Sequence, residues 1–291
     1  MKITNKFLKR AWIVVIILTV LLVAVYISAT NDFVAENTNE DYVCFLDVGQ
    51  GDSILIKSGE YSALIDTSVA EEGENILKKL RKCGVNDIDV LILTHPHADH
   101  IGSTNYLISK LDIGAIVMSE SVPEDVGNKN ALNDIKHYAE RYEIPYYYAE
   151  QGMEINVGNF ELTVLLTLKN QDDENDNSIV VMAKNNDNKF LFMGDAETPV
   201  EKRLIEENIN FDCDVLKVGH HGSNSSSSKT FLDIATPQYA VISVGSDNNY
   251  GHPHADVLSR LDIANAIVYR TDMQRDILFY IVENQISVKV G

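Results

Sequence analysis

Three histidines and one aspartate fall within six residues, His95-x-His97-x-Asp99-His100. The run follows an apolar stretch, residues 88–93, that reads as a β-strand, and it leads into Ile101-Gly102. In an extended chain, side chains two apart point the same way, so His95 and His97 share one side. Asp99 and His100 then turn into a helix start. Two neighbouring donor sets result, one with two nitrogens and one with nitrogen and oxygen. That is the ligand chemistry Zn²⁺ prefers. A polar, histidine-rich surface loop would account for one or two of these residues. It does not account for four at one strand end.

The remaining chain alternates strands and helices around this point. Residues 42–48 read as a strand, Gly49-Gln50-Gly51-Asp52 as a tight turn and 53–57 as the returning strand. A third strand, 61–65, ends in Asp66-Thr67. Residues 72–83 carry Ile76, Leu77 and Leu80 at helical spacing, with Gly84 as a stop. A helix is expected from the histidine run through about residue 110, a strand at 115–118 and a helix at 130–142. After a strand at 160–166 comes an acidic and amide-rich run, 170–177, which taken alone is a solvated loop. It feeds a strand at 178–183. The strand 189–193 ends in Gly194-Asp195, where a carboxylate is well placed to bridge two cations. A helix is expected at 197–208 and a strand at 213–218, followed by Gly219-His220-His221-Gly222-Ser223. A polar loop, a helix at 229–235, a strand at 239–244 and a helix at 254–261 come next. Strands at 266–269 and 276–282 close the chain, with an edge strand near 286–290.

These residues carry a family resemblance. His95-x-His97-x-Asp99-His100 resembles the motif of the metallo-β-lactamase fold superfamily. Phe45-Leu46-Asp47-Val48-Gly49-Gln50-Gly51-Asp52-Ser53 and Asn249-Tyr250-Gly251-His252-Pro253 are similar to stretches of the hydrolase domain of ComEC-like competence proteins. The resemblance covers roughly residues 42–285. It implies an α/β fold, the four-layer αββα sandwich, which periodicity alone would not choose over another α/β layering. By resemblance, His95 and His97 bind one metal ion, and Asp99, His100 and His221 a second, with Asp195 bridging. His220 then faces substrate, although two adjacent histidines leave that order open. Asp66 becomes an orienting carboxylate. Asp52 either lies near the metals or sits in a surface turn. Asp99 also helps orient the attacking water, and His252 either serves the transition state and leaving group or is a structural loop residue. In the ComEC-like group an Asn-x-x-Ser pattern, here Asn175-Asp176-Asn177-Ser178, replaces a further metal-binding histidine. An amide is a weaker ligand than imidazole, which leaves open the metal count and the choice between zinc and manganese.

Charge and hydropathy bound the setting. Residues 11–29 are 19 uncharged, mostly aliphatic residues behind Lys2, Lys6, Lys9 and Arg10. This pattern predicts a basic cytoplasmic start (1–10), a transmembrane anchor (11–29), a linker (30–41) and an extracytoplasmic hydrolase domain (42–291). A cleaved signal peptide with secretion is the alternative. Residues 30–291 carry 20 basic against 43 acidic side chains. Such a body repels polyanions, so no extended nucleic-acid surface is expected. The cysteines Cys44, Cys83 and Cys213 form no CxxC pair and read as buried packing residues. The expected activity is metal-dependent hydrolysis of a phosphodiester or related phosphoester, including one on a cell-envelope polymer. A β-lactam or other cyclic amide or ester is the alternative substrate, and a catalytically silent metal-binding interaction domain the non-enzyme alternative.

Overall fold

The computed structural model describes residues 40–291. The expected basic start, the anchor and all but the end of the linker lie outside the described residues. Among the described residues, no helix is long and apolar enough to cross a membrane.

Two mixed sheets face each other. The first contains β1 (Asp41–Phe45), β2 (Ile54–Ser58), β3 (Tyr61–Ile65), β4 (Asp87–Leu93), β5 (Asp112–Met118) and β6 (Tyr146–Tyr148). The second holds β7 (Glu154–Val157), β8 (Phe160–Leu166), β9 (Val180–Asn185), β10 (Asn188–Phe192), β11 (Val215–Lys217), β12 (Tyr239–Ile242) and β13 (Ile267–Arg270). The chain then returns to the first sheet with β14 (Ile277–Val282) and the edge strand β15 (Gln285–Val290). Strand orders are β15-β14-β1-β2-β3-β4-β5-β6 and β13-β12-β11-β10-β9-β8-β7. Strands β3 to β6 run parallel, as do β10 to β13.

The core follows from period-two patterning. Val43, Phe45, Ile54, Ile56 and Ile92 of one sheet meet Phe160, Leu162, Val181, Phe190 and Phe192 of the other. The Phe45 ring stands 6.1 Å from Phe192 and 5.8 Å from Phe279. Alternate residues on the outer face of the second sheet are apolar as well. Val180, Met182, Leu191 and Leu216 pack with Val200 and Leu204, Phe231 and Leu232, and Val257 and Leu261. Those residues lie on three helices, Thr198–Glu206, Lys229–Ala235 and Ala255–Ile263. A strand apolar on both faces is one covered on both faces. The first sheet likewise buries Cys44, Leu55, Leu64 and Leu91 on the face away from this core. Helices Gly73–Lys82 and Val126–Arg141 contribute buried stripes, including Ile76, Leu80, Leu132 and Ile135. All three cysteines are buried and free, so the packing reading holds.

Some sequence-based elements are corrected. The helix expected through residue 110 is two short ones, Ala98–Ile101 and Thr104–Ile108. They part at Gly102-Ser103, where the backbone of residues 68–70 crosses. A Cβ on Gly102 would stand 2.6 Å from the Ala70 nitrogen. The supposedly solvated run 170–177 instead ends in a 3₁₀ turn, Glu174–Asn177, with Asn175, Asp176 and Asn177 buried. Asn177 Oδ1 accepts Gln171 N–H and Asp176 Oδ1 accepts Glu197 N–H, so protein groups take the place of water at these two side chains. Strands β6 and β7 were not expected. One is three residues long and the other four, too short for a clear period.

This topology sets one end of the molecule apart. His95 and His97 follow β4, and Asp66 follows β3 on the parallel neighbour. Asp195 follows β10, His221 follows β11, and Ser243 follows β12, three parallel neighbours of the other sheet. Strand carboxyl ends from both sheets therefore converge, the usual place for a ligand in α/β proteins.

Candidate metal centre

Several residues at these strand ends take positive φ. Asp66 has φ 62°, His220 47°, His221 51° and Gly194 55°. For residues other than glycine, such conformations cost roughly 1–3 kcal/mol each and persist where the surroundings enforce them. Gly51 has φ 138°, and a Cβ there would lie 2.5 Å from the Asp99 carbonyl oxygen. The Gly49-Gln50-Gly51 turn thus needs glycine to lie against the histidine segment. Asp52 N–H donates to that same Asp99 carbonyl at 3.1 Å.

Each inward-facing histidine has one ring nitrogen occupied and one directed at the centre. Thr94 Oγ1 donates to Asp66 Oδ2 at 2.7 Å, which leaves it free to accept from His95 Nδ1 at 3.2 Å. His95 Nε2 then faces His97 Nδ1 at 3.0 Å. His97 Nε2 lies 3.2 Å from Glu174 Oε2. His100 Nδ1 donates to Asp66 Oδ2 at 2.8 Å, turning Nε2 toward Asp195 Oδ1 at 3.2 Å. His221 Nδ1 donates to the Ser243 carbonyl at 2.9 Å, turning Nε2 toward Asp99 Oδ2 at 3.3 Å and Asp195 Oδ2 at 3.4 Å. An acceptor on the far nitrogen of a histidine is how metal-binding rings are oriented.

The residues fit a divalent cation. Buried His100 Nε2, His221 Nε2 and Asp195 Oδ1 have no hydrogen-bond partner. A buried polar atom without a partner normally costs about 1–3 kcal/mol. The nitrogen–oxygen separations here, His100 Nε2 to Asp195 Oδ1 and His221 Nε2 to Asp99 Oδ2 and Asp195 Oδ2, are 3.2–3.4 Å and match the edge of a tetrahedron of ligands at about 2.0–2.1 Å from zinc, roughly 3.3–3.4 Å. Donor atoms of Asp99, His100, Asp195 and His221 all lie within 4.8 Å of one another. The electrostatics agree. Burial alone would raise the Asp195 carboxyl, but His221 and His100 overcome it and hold it far below the usual range. Burial would likewise raise Asp99, and His100 and His221 again hold it low. His221 goes up to about 10, because Asp195 outweighs burial. Carboxylates in surplus draw positive charge into this centre, as ring protons or as a metal ion. Burial and His100 push His95 far down, so its ring is neutral and a competent donor.

Other sequence candidates lie around this group. Asp52 is not in a surface turn. It is buried against Lys217 Nζ at 2.7 Å, with its other oxygen 3.5 Å from His221 Nδ1. Asp66 stands behind His95 and His100 and closes on Thr94 N–H at 2.8 Å. Ser178 Oγ accepts from Asp195 N–H at 3.0 Å and so supports a donor residue from outside the cleft. Asn175, with its amide oxygen buried and unpartnered, lines a cleft of about 300 Å³ together with Gln50, Asn128, Tyr250 and His252. His220 opens onto the same cleft. Its Nδ1 pairs with Glu197 at 2.6 Å, and its Nε2 is 3.9 Å from Asp195 Oδ2. His252 stacks on Tyr250 with ring centroids 5.6 Å apart and crosses the His220 ring at 5.4 Å.

Sequence reasoning missed Glu174, Glu197 and Lys217. Glu174 stood in an acidic run and Lys217 in an apolar strand, and neither context announces a partner far along the chain. Glu197 follows Gly194-Asp195 closely enough that its nearness to the site was legible, but its pairing with His220 was not.

The chain is similar to several known proteins. Residues 46–246 match the family model of the metallo-beta-lactamase superfamily. The chain is 33% identical over 262 residues to the competence protein ComA of Neisseria gonorrhoeae, covering 89% of this chain and 35% of that protein. It is 28% identical to ComE operon protein 3 of Bacillus subtilis (strain 168), covering 86% and 34%. This chain thus spans about a third of the length of these relatives. Among solved structures, the metallo-beta-lactamase fold protein YhfI from Bacillus subtilis superimposes with TM-score 0.53 at 13% identity, covering 87% of this chain and all of that one. Igni18, a metallo hydrolase from Ignicoccus hospitalis, does so with TM-score 0.52 at 14% identity, covering 82% and 98%. Both likenesses concern the fold.

Proposed function

We propose that this chain, which belongs to the metallo-beta-lactamase superfamily, is a metal-dependent hydrolase of phosphodiester or related phosphoester bonds. The observation that carries the reading is the convergence of unpartnered donors from both sheets beside a cleft lined by neutral amides. His95 and His97 would hold one ion, and Asp99, His100 and His221 another, with Asp195 between them. Divalent ions bound there would supply Lewis acidity and acidify water; zinc or manganese suits these donors.

The cleft favours a phosphoester over a β-lactam. β-Lactam substrates carry a carboxylate, and a site for them gains from a lysine or arginine. The residues lining this cleft include neither, but they do include the side-chain amides of Gln50, Asn128 and Asn175. Such groups can donate to the non-bridging oxygens of a singly charged diester. The uncharged stretch 11–29 supports an anchored, outward-facing domain that acts on an envelope phosphoester.

The two cleft histidines divide the proton chemistry. Burial and the neighbouring His220 and His221 push His252 down to about 4, so it is neutral at pH 7 and serves as a hydrogen-bonding group. Burial would lower His220 too, but Glu197 and Asp195 outweigh it and raise it. His220 Nε2 is therefore the proton donor to a leaving oxygen. His220→Ala should slow a substrate with an alkoxide leaving group by about 10²–10⁴-fold. It should slow bis-p-nitrophenyl phosphate far less, since p-nitrophenolate departs without a proton. Equal losses on both substrates would remove His220 from this role.

The test of the function itself is turnover of bis-p-nitrophenyl phosphate against a chromogenic cephalosporin, with zinc or manganese supplied. We expect phosphodiester turnover that disappears in His97→Ala. Cephalosporin turnover without phosphodiester turnover would reverse the ranking. Metal binding with no hydrolysis of either would favour the binding-domain alternative.

A further inference from the structure

The inward histidines pose the same question one by one: what holds the ring nitrogen that faces away? For His95 it is Thr94 Oγ1, for His100 it is Asp66, and for His221 it is the Ser243 carbonyl. For His97 it is Glu174, which lies outside every motif picked out in the sequence. We infer that Glu174 is a positioning residue that keeps the His97 proton on Nε2 and so presents Nδ1 as the donor atom facing His95. The inference rests on the reading of His95 and His97 as ligands of one ion.

Three observations carry it. The carboxylate is built in rather than loose. Oε1 accepts the Glu124 N–H at 2.5 Å. Oε2 is a buried acceptor with no hydrogen-bond partner, 3.2 Å from His97 Nε2, so a proton on that nitrogen would satisfy it. The turn that bears it is capped, with the Asp173 side chain accepting Asn175 N–H at 3.0 Å and Ser178 N–H closing on the Asn175 carbonyl at 3.0 Å. Alternate residues of this turn also reach separate parts of the centre. Glu174 meets His97, Asp176 Oδ1 accepts Glu197 N–H at 3.1 Å beside His220, and Ser178 Oγ accepts Asp195 N–H at 3.0 Å.

The chemistry gives Glu174 a reason to be there. His97 is half-exposed, so without a partner its ring could turn or carry its proton on either nitrogen. A neutral imidazole with the proton on Nδ1 offers His95 Nε2 a hydrogen bond but offers a metal on that side no lone pair. A carboxylate at Nε2 favours the other tautomer and strengthens the donor. Asn175 supplies only an amide to this side of the cleft, so the quality of the two imidazoles matters more.

The experiment uses the full chain and Zn²⁺ in competition with a chelator, for wild type, His97→Ala, Glu174→Ala and Glu174→Gln. In parallel, ¹⁵N spectra of the metal-free protein report the His97 tautomer, which a merely structural role for Glu174 would not move. The binding step weakened by His97→Ala should weaken about 10–100-fold in Glu174→Ala, the usual effect of losing such an orienting partner. Glu174→Gln keeps an acceptor oxygen without the charge and should fall between. The His97 proton should shift from Nε2 toward Nδ1 in Glu174→Ala, where His95 Nε2, 3.0 Å from Nδ1, is the acceptor left to it. Unchanged affinity in Glu174→Ala beside a weakened His97→Ala overturns the role of Glu174. So does weakened affinity with an unchanged tautomer. Unchanged affinity in His97→Ala overturns instead the reading of His97 as a ligand. Should Glu174→Ala not fold, wild-type affinity in Glu174→Gln overturns the inference.

Discussion

Asp195→Asn should strip the protein of metal and of hydrolysis together. Among the described residues, Asp195 is the one carboxylate within ion-pair distance of both His100, at 3.2 Å, and His221, at 3.4 Å. It is almost fully buried. Its backbone is set by Gly194 at φ 55°, where an added Cβ would press on Ser178 and Thr94 at 3.0–3.1 Å. The side chain therefore has little freedom to move away. Asparagine keeps the volume but removes the charge, and it offers an N–H₂ where the rings offer lone pairs. Losing an orienting partner costs about 10–100-fold in metal affinity, so losing this donor should cost more than about 100-fold. Elemental analysis after dialysis, together with turnover of a phosphodiester, checks this. Wild-type metal content and turnover in the variant would show that Asp195 does not bridge. Thermal melts of the metal-free forms separate this from misfolding. His221 and His100 hold the Asp195 carboxyl far below the usual range, so its charge stabilises the metal-free fold at neutral pH. The metal-free variant should therefore melt earlier than wild type but still cooperatively.

Lys217→Met should be the most destabilising single change near the site. Lys217 and Asp52 are 0% and 1% exposed at their side chains and form an ion pair at 2.7 Å. Lys217 Nζ also donates to the Val218 carbonyl at 2.9 Å. Removing one partner of a buried pair leaves the other charge uncompensated, at about 3–5 kcal/mol. Replacing both by neutral groups of similar size avoids that cost, so Asp52→Asn with Lys217→Met should recover most of it. Denaturant unfolding of the metal-free proteins measures the coupling. A loss under about 1 kcal/mol in the single variant, or no recovery in the double, would mean that the pair is already solvated. The consequence reaches the centre, because Asp52 lies 3.5 Å from His221 Nδ1 and its N–H holds the Asp99 carbonyl.

These two residues also mark where reading the sequence stops. Asp195 was legible because its cue is local: an apolar strand, a glycine and then a carboxylate. The His95–His100 run was legible for the same reason, and so were most strands, since alternation along one strand already says which face is buried. Asp52 could be flagged, but its depth could not, because the lysine that pairs with it lies in the other sheet. Glu174 was masked by its acidic neighbours, which suggest solvent when only composition is considered. The expected anchor lies outside the described residues, so that part of the reading still rests on charge and hydropathy.

The sequence by itself therefore determined most of the strand and helix pattern, the family and the candidate donor residues at strand ends, because those depend on residues within a few positions of each other. The tertiary structure alone decided which nitrogen of each ring points inward and which of two adjacent histidines joins the donors. Backbone φ values of 47° and 51° at His220 and His221 send one ring to the cleft and the other to Asp99 and Asp195. It also decided which buried charges are paired. The physical reason is that orientation and charge compensation are set by contacts between strand ends of two separate sheets, and no local pattern encodes the distance between two sheets.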